Sequence, residues 1–354
     1  MKQESAAGIS FSPASDPLGH TAPLDQRAWF PLLGLPLEVR SNSAAVIAAA
    51  ERSFGHWRQL EAQLIAPTDP LIVSIVVHPP TIGSPPAAVD NRQLKLTTHN
   101  SQLTTQFIQR VHGDCFIASS GANLLTARMD HGQALGFVTP DLLADDVHFR
   151  YHVLECLALL LASWRDRTPI HAAAVIHTRR VALLVGPSAI GKSTLCYACA
   201  RAGFSLLAED VVYVSLRDRP RLWGNPWRIH LLPDAPRLFP ELADLSPRML
   251  ANGKRKLAID VAGLGRAQPH YHADSAVVCL VRRHHGRASA LAPIDPRAAV
   301  VALSRDLEAG FDLHSGARAV AETLAQRGAY QLALGDDLEG AVELLRELLE
   351  SSRT

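Results

Sequence analysis

Apolar and small residues recur at helical spacing over residues 43–60, which predicts a helix with Ser41 or Ser43 at its N-cap. Residues 71–77 are a run of Leu, Ile, Val and one Ser, the composition of a buried strand. The prolines and glycine of 79–86 mark a loop. Strand composition returns at 93–98, 104–111 and 114–118. Residues 26–145 therefore read as a mixed α+β domain without a chemical motif. Substrate or leader-peptide recognition and a stabilising appendage are both open as its role. Residues 1–25, small, polar and interrupted by Pro13, Pro17 and Pro23, read as a loose tail with little to bury.

The pattern changes at Asp146. Residues 147–166 predict a long helix broken by Pro169, and short apolar strands then alternate with helical runs. Strands are expected at 171–177, 181–185, 204–208, 211–216, 257–261 and 276–282. A helix is expected from Lys192 to Arg201, stopped by Gly203, and an amphipathic helix at 337–351. This alternation argues an α/β domain over 146–354. No internal repeat interrupts it.

Composition narrows the classes. Hydrophobic residues make up 47% and charged residues 19%, which is an ordinary globular balance. With 35 basic and 34 acidic side chains the net charge is +1, so nothing points to nucleic acid or an anionic membrane. The five cysteines are odd in number and irregular in spacing, unlike a disulfide framework, and no apolar signal segment opens the chain. A reducing cytoplasm is the expectation, with a homo-oligomer left open. Cys196 and Cys199 lie on the 192–201 helix without a second pair, so they read as small buried residues. The histidines, His284 and His285 included, lack ligand spacing, and no structural metal is expected.

Chemistry concentrates in Gly186-Pro187-Ser188-Ala189-Ile190-Gly191-Lys192-Ser193-Thr194, a full match to G-x-x-x-x-G-K-[ST] between a strand and a helix. Glycines let the backbone curl so that amides face inward on an anion, and the helix N-terminus adds positive potential. Lys192 can reach β- and γ-phosphates, and the Ser193 hydroxyl can ligate Mg²⁺. Glu209 and Asp210 follow an apolar strand, where a neighbouring parallel strand would present a carboxylate to that metal. One acid could hold the ion, with Asp210 expected beside Ser193, and the other take the proton of an attacking hydroxyl. His171 stands on the preceding strand.

The segments 169–175, 181–194 and 203–211 together resemble HPr kinase/phosphorylase and its relatives, and most nearly the HPr-kinase-like proteins found beside peptide-tailoring systems, lasso-peptide kinases among them. The resemblance covers about 165–300 at most. It implies an α/β P-loop kinase domain of HPr-kinase/phosphoenolpyruvate-carboxykinase type behind an N-terminal α+β domain. It implies ATP, with GTP also allowed, Mg²⁺, and transfer of a phosphoryl group to a serine hydroxyl of a peptide or protein. His171 would then stand near the attacking oxygen, Lys192 and Ser193 at phosphate and metal, and Glu209 and Asp210 in place of two aspartates. Two departures stand out. Glu209 is longer than Asp by one methylene. Ala189 stands where Gly is common, which requires a negative φ there. The later HPr-binding signature has no clear counterpart, which argues against HPr as acceptor.

Two further elements are substrate candidates. Lys254 and Lys256, in the basic turn 252–256 before a strand, could face phosphates or an acidic acceptor. Arg228 ends the aromatic segment 223–228. Two other functions remain open: a nucleotide-sensing module, which would have no use for a base, and a kinase of free serine or a similar metabolite.

Overall fold

The computed structural model describes residues 23–78, 107–217, 220–264, 267–286, 288–305 and 316–351. The expected strand at 93–98, the loop at 79–86 and all but the last residues of the expected tail lie outside them. The chain divides into two compact units between Ala158 and Leu159, rather than at Asp146.

The first unit is a mixed sheet with helices. Strands β1 (Gln26–Leu32) and β2 (Leu35–Ser41) form a hairpin that periodicity did not mark. Its turn, Leu33-Gly34, has both residues at positive φ, 50° and 72°. That twist suits a two-residue hairpin, but leucine is not a residue that announces it. Helix α1 (Ala44–Phe54) is shorter than expected, because Gly55 opens a 3-10 turn, Gly55–Gln59. Ser43 occupies its N-cap without a side-chain bond, while Ser41 Oγ accepts from Ser43 N and donates to Ile75 O. Strands β3 (Leu71–Val77), β4 (Ile108–His112), β5 (Cys115–Ser120), β6 (Asn123–Arg128) and β7 (Gln133–Val138) complete the order β1-β2-β3-β7-β6-β5-β4. Among the described strands of this sheet, only the β2/β3 and β3/β7 pairs are parallel.

Helices α2 (Pro140–Ala144) and α3 (Asp146–Phe149) follow. The expected continuous helix over 147–166 is interrupted by a π-helical turn, Arg150–Glu155, before α4 (Cys156–Trp164). Pro169 does not end it. The run ends at Asp166, which turns left-handed at φ 60°, and its carboxylate then accepts from Ser215 Oγ and from the backbone N–H of Arg217. Pro169 instead lies inside the next strand.

The second unit is a larger mixed sheet: β8 (Thr168–His177), β9 (Arg180–Val185), β10 (Ser205–Ala208), β11 (Val211–Ser215) and β12 (Arg221–Gly224). A small separate sheet takes β13 (Arg228–Leu231), β14 (Arg248–Met249) and β15 (Arg255–Asp260), in the order β13-β15-β14. Strands β16 (His270–His272), β17 (Ala276–Arg283), β18 (Ala290–Pro293) and β19 (Ala329–Leu334) finish the large sheet as β16-β12-β11-β8-β9-β17-β19-β18, with β10 also on β8. Helix α5 (Lys192–Arg201) follows β9, and α6 (Pro296–Arg305), α7 (Gly316–Gln326) and α8 (Leu338–Glu350) come late in the chain.

Strict alternation splits the large sheet between two cores. Ala173, Val175, Ala182 and Leu184 face α5 and α8, with Leu195, Tyr197, Val342 and Leu345. Ala172, Ala174, Leu183 and Val185 face the other way, with Ala299, Leu303, Val320 and Leu324 of α6 and α7. Strands buried on both faces need continuous apolar sequence, which is why residues 181–185 read as they do. One stop and one start were legible: Gly203 ends α5 at φ 90°, and Asp337 caps the N-terminus of α8 by accepting from Gly340 N at 2.9 Å. Cys196, Cys199 and Cys279 are buried free thiols, pushed up by burial. Among the described residues no helix is long and apolar enough to cross a membrane.

Buried His148 supplies a test of the first unit. Burial holds its imidazole below the ordinary value of about 6.5, against the pull of Asp145. The unfolded chain therefore takes up the proton first as pH falls. Stability contributed by neutral His148 is fully present above about pH 6.5 and is lost below it. Urea midpoints measured from pH 7.5 to 5 should fall in the native chain and fall less steeply in His148→Gln; equal slopes would remove the burial account.

Candidate functional site

The loop 186–191 leaves the end of β9 and enters α5, as the motif requires. Two glycines are needed for different reasons. A Cβ on Gly186 would lie 2.8 Å from the carbonyl oxygen of Val281 in β17, so the loop passes against the neighbouring strand with no room for a side chain. Gly191 caps α5 at φ 112°. Ala189 has φ 66°, and this overturns the negative φ its side chain called for. Alanine can occupy the left-handed region at a cost of about 1–2 kcal/mol, so the loop carries local strain where glycine would carry none. Pro187, Ser188 and Ala189 are exposed, Ile190 and Thr194 half-buried.

Lys192 is the first residue of α5 and is buried. Its Nζ donates to the carbonyl of Gly186 and, at 3.2 Å, to that of Pro187. The same ammonium lies 3.2 Å from His171 Nε2. An ammonium has only protons to give, so Nε2 must be the accepting nitrogen and the ring proton sits on Nδ1. Nδ1 faces Asp210, whose Oδ1 is 3.4 Å away, short of a well-formed hydrogen bond. A line therefore runs Lys192, His171, Asp210, with Asp210 itself well exposed.

Glu209 has the opposite environment. Its side chain is 8% exposed; Ser193 Oγ donates to Oε1, and His230 Nδ1 lies 3.3 Å from Oε2. Burial pushes its carboxyl up, yet the contacts of His230 and Ser193 and the nearby charge of Lys256 outweigh it, leaving the pKa below the ordinary value. Two adjacent acids thus differ: one buried and held ionised, the other open to solvent. The partner of Ser193 is Glu209, where sequence reasoning paired Ser193 with Asp210.

Strand pairing explains the placement. The acidic pair does not follow a strand adjacent to β9; β8 lies between. Both β10 and β11 pair antiparallel with the same edge of β8; Ala208 opposite Ala174 and Val211 opposite His171 keep one register across the interruption, while a bulge between Leu206 and Ala208 shifts the earlier half of β10. Residues 209 and 210 are the interruption itself, so the pair bends out beside His171 by construction.

Arg228 is the exposed first residue of β13 rather than part of a loop, and Lys254 is exposed in the turn before β15. No contact among the described residues ties either to the groups above. Lys256 is half-buried on β15 and acts on Glu209 through its charge. Sequence reasoning missed His230. It is two residues beyond Arg228 on one strand, so alternation alone would have put both on one face.

No family model matches this chain, and no curated protein matches it. Among solved structures, the HPr(Ser) kinase/phosphatase from Coxiella burnetii aligns over 52% of this chain and 88% of its own length, at 12% identity and a TM-score of 0.28.

Two substitutions test the loop. Gly186→Ala should lose about 1–3 kcal/mol in urea unfolding through overpacking against Val281. Ala189→Gly should gain up to about 1 kcal/mol, whereas an exposed alanine outside the left-handed region would lose on the same change. A destabilised Ala189→Gly would mean the position is not left-handed in solution.

Proposed function

We propose that this chain is an ATP-dependent, Mg²⁺-dependent kinase of HPr-kinase-like type, acting on a serine hydroxyl of a peptide or protein, with GTP allowed as donor. A ribosomally made peptide is the acceptor of first choice, on the resemblance of the P-loop segments to kinases beside peptide-tailoring systems. The observation that carries the reading is the division between the two acids at the mouth of a complete G-x-x-x-x-G-K-S loop. A nucleotide sensor needs the loop but has no use for an exposed carboxylate backed by an oriented imidazole.

The donor set fits the groups it would hold. A curled loop that excludes a Cβ at Gly186, the N-terminus of the ten-residue α5 and a buried ammonium suit a polyphosphate. A hydroxyl and an ionised carboxylate, Ser193 and Glu209, are the hard oxygen donors that Mg²⁺ prefers. Bound there, the ion would neutralise charge across the β- and γ-phosphates.

The chain's own residues do the rest. Lys192 offers positive charge to the transferring group, moving from the loop carbonyls it now bonds. His230 keeps Glu209 ionised and aimed at Ser193. His171, oriented by Lys192, directs its Nδ1 proton towards Asp210. Asp210, the open acid, accepts the proton of the attacking serine hydroxyl as the Oγ–P bond forms and the bond to the leaving diphosphate breaks.

Incubation with γ-labelled ATP, Mg²⁺ and serine-containing peptides tests this directly. Label should appear on serine. Lys192→Ala should lower the rate at least about 100-fold, by analogy with removing one preorganised donor. Asp210→Asn should lower turnover by about 10²–10⁴ while nucleotide affinity holds, since the loop is untouched. Nucleotide binding without transfer, or undiminished turnover in Lys192→Ala, would sink the kinase reading.

A further inference from the structure

The small sheet β13-β15-β14 has two unlike faces. Its odd-numbered residues Ile229, Leu231, Leu257 and Ile259 are buried with Leu195 and Cys199 of α5. Cross-strand partners share a face, and the pairs Arg228 with Asp260, His230 with Ala258 and Arg248 with Lys256 put Arg228, His230, Arg248 and Lys256 together on the other one. This second face is the one that meets the catalytic acids, because His230 Nδ1 contacts Glu209 and the charge of Lys256 acts on the same carboxylate.

The balance of charge on that face is unusual for a chain of net charge +1. Its acids are Glu209, already committed to Ser193 and His230, and Asp260, which accepts from Ala262 N at 2.9 Å. Arg228 and Arg248 are exposed and make no ion pair among the described residues. Arg237, Arg255 and Arg282 are likewise exposed without an ion pair among the described residues, so what sets Arg228 and Arg248 apart is their place on the face that meets Glu209. Open guanidinium groups beside a half-buried lysine, at the border of a phosphate-transfer site, are suited to bidentate capture of carboxylates.

We propose that this face is the acceptor-docking surface and that it takes a peptide bearing acidic side chains beside the target serine. The assignment rests on the kinase reading for the identity of the acceptor. It names Arg248 and His230 as members that sequence did not mark, and it leaves Lys254, in the turn outside the strands, as a peripheral contributor. Arg228 and Arg248 hold the acidic residues. Their positive potential also speeds encounter, so docking weakens as salt rises.

Two measurements on the full-length protein separate this from the reading beneath it. The probes are fluorescent, C-terminally amidated serine peptides that differ only in flanking residues: Asp/Glu, Asn/Gln or Lys. The first measurement is binding without nucleotide. The acidic peptide should bind about tenfold tighter than the neutral one at low salt, with the gap closing as salt rises, and Arg248→Gln should erase most of it. The second is label transfer from ATP. Arg248→Gln should raise KM for the acidic peptide about tenfold, leave kcat within about twofold, and leave affinity for Mg²⁺-nucleotide unchanged. Charge reversal, Arg248→Glu, should shift preference towards the Lys-flanked peptide, an effect that misfolding cannot produce.

Acidic preference in binding without any label transfer would uphold the surface and overturn the kinase reading. Transfer that ignores flanking charge would uphold the kinase and overturn the surface. Absence of both preference and transfer would overturn both.

Discussion

A carboxylate removed from water must be matched or it will not stay ionised, and the site is arranged around that demand at Glu209. Burial alone would push the acid towards neutrality. The Ser193 hydroxyl, the His230 imidazole and the charge of Lys256 reverse the outcome. Those three groups come from α5, β13 and β15, so one ionised side chain ties the start of α5 to the small sheet. Asp210, one residue away, escapes the demand by facing solvent, and that asymmetry separates an acid suited to a cation from an acid suited to a proton.

The second organising contact is the buried ammonium of Lys192. It satisfies loop carbonyls and at the same time fixes which nitrogen of His171 carries the proton. An imidazole is ambiguous in isolation; beside a donor that cannot accept, it is not. The orientation of His171 is thus inherited from the loop, and whatever draws Lys192 away from the ring also releases the ring.

Much of this second unit was legible because its signals are local. The alternation of apolar runs marked β9, β17 and α5, and Gly203 and Asp337 marked helix ends, since each acts within a few residues. What stayed hidden depends on pairing. That Glu209 rather than Asp210 meets Ser193 follows from the bend between two strands on one edge of β8, which no spacing reveals. The β1–β2 hairpin was missed because its turn uses Leu33 at positive φ, and the helical run before β8 ends at Asp166 as expected but through that residue's left-handed φ, not through Pro169. Ala189 adds a third instance: backbone strain on a non-glycine residue leaves no trace in composition. His230 differs, since strand alternation contained it and only the strand boundary was lacking.

Because Ala208 and Val211 flank the acidic pair in one register on the edge of β8, beyond a bulge that shifts Ser205 and Leu206, the stretch from His171 to Ala174 and the stretch from Ala208 to Val211 behave as a paired ruler. Adding or deleting a single residue in either would turn His171 to the far side of the sheet or carry the acids past it, since adjacent strand positions point in opposite directions. Length variation among descendants of this sequence should therefore be purged from these two stretches and tolerated in the turns beyond them. Side-chain identity there can drift while the count of residues cannot.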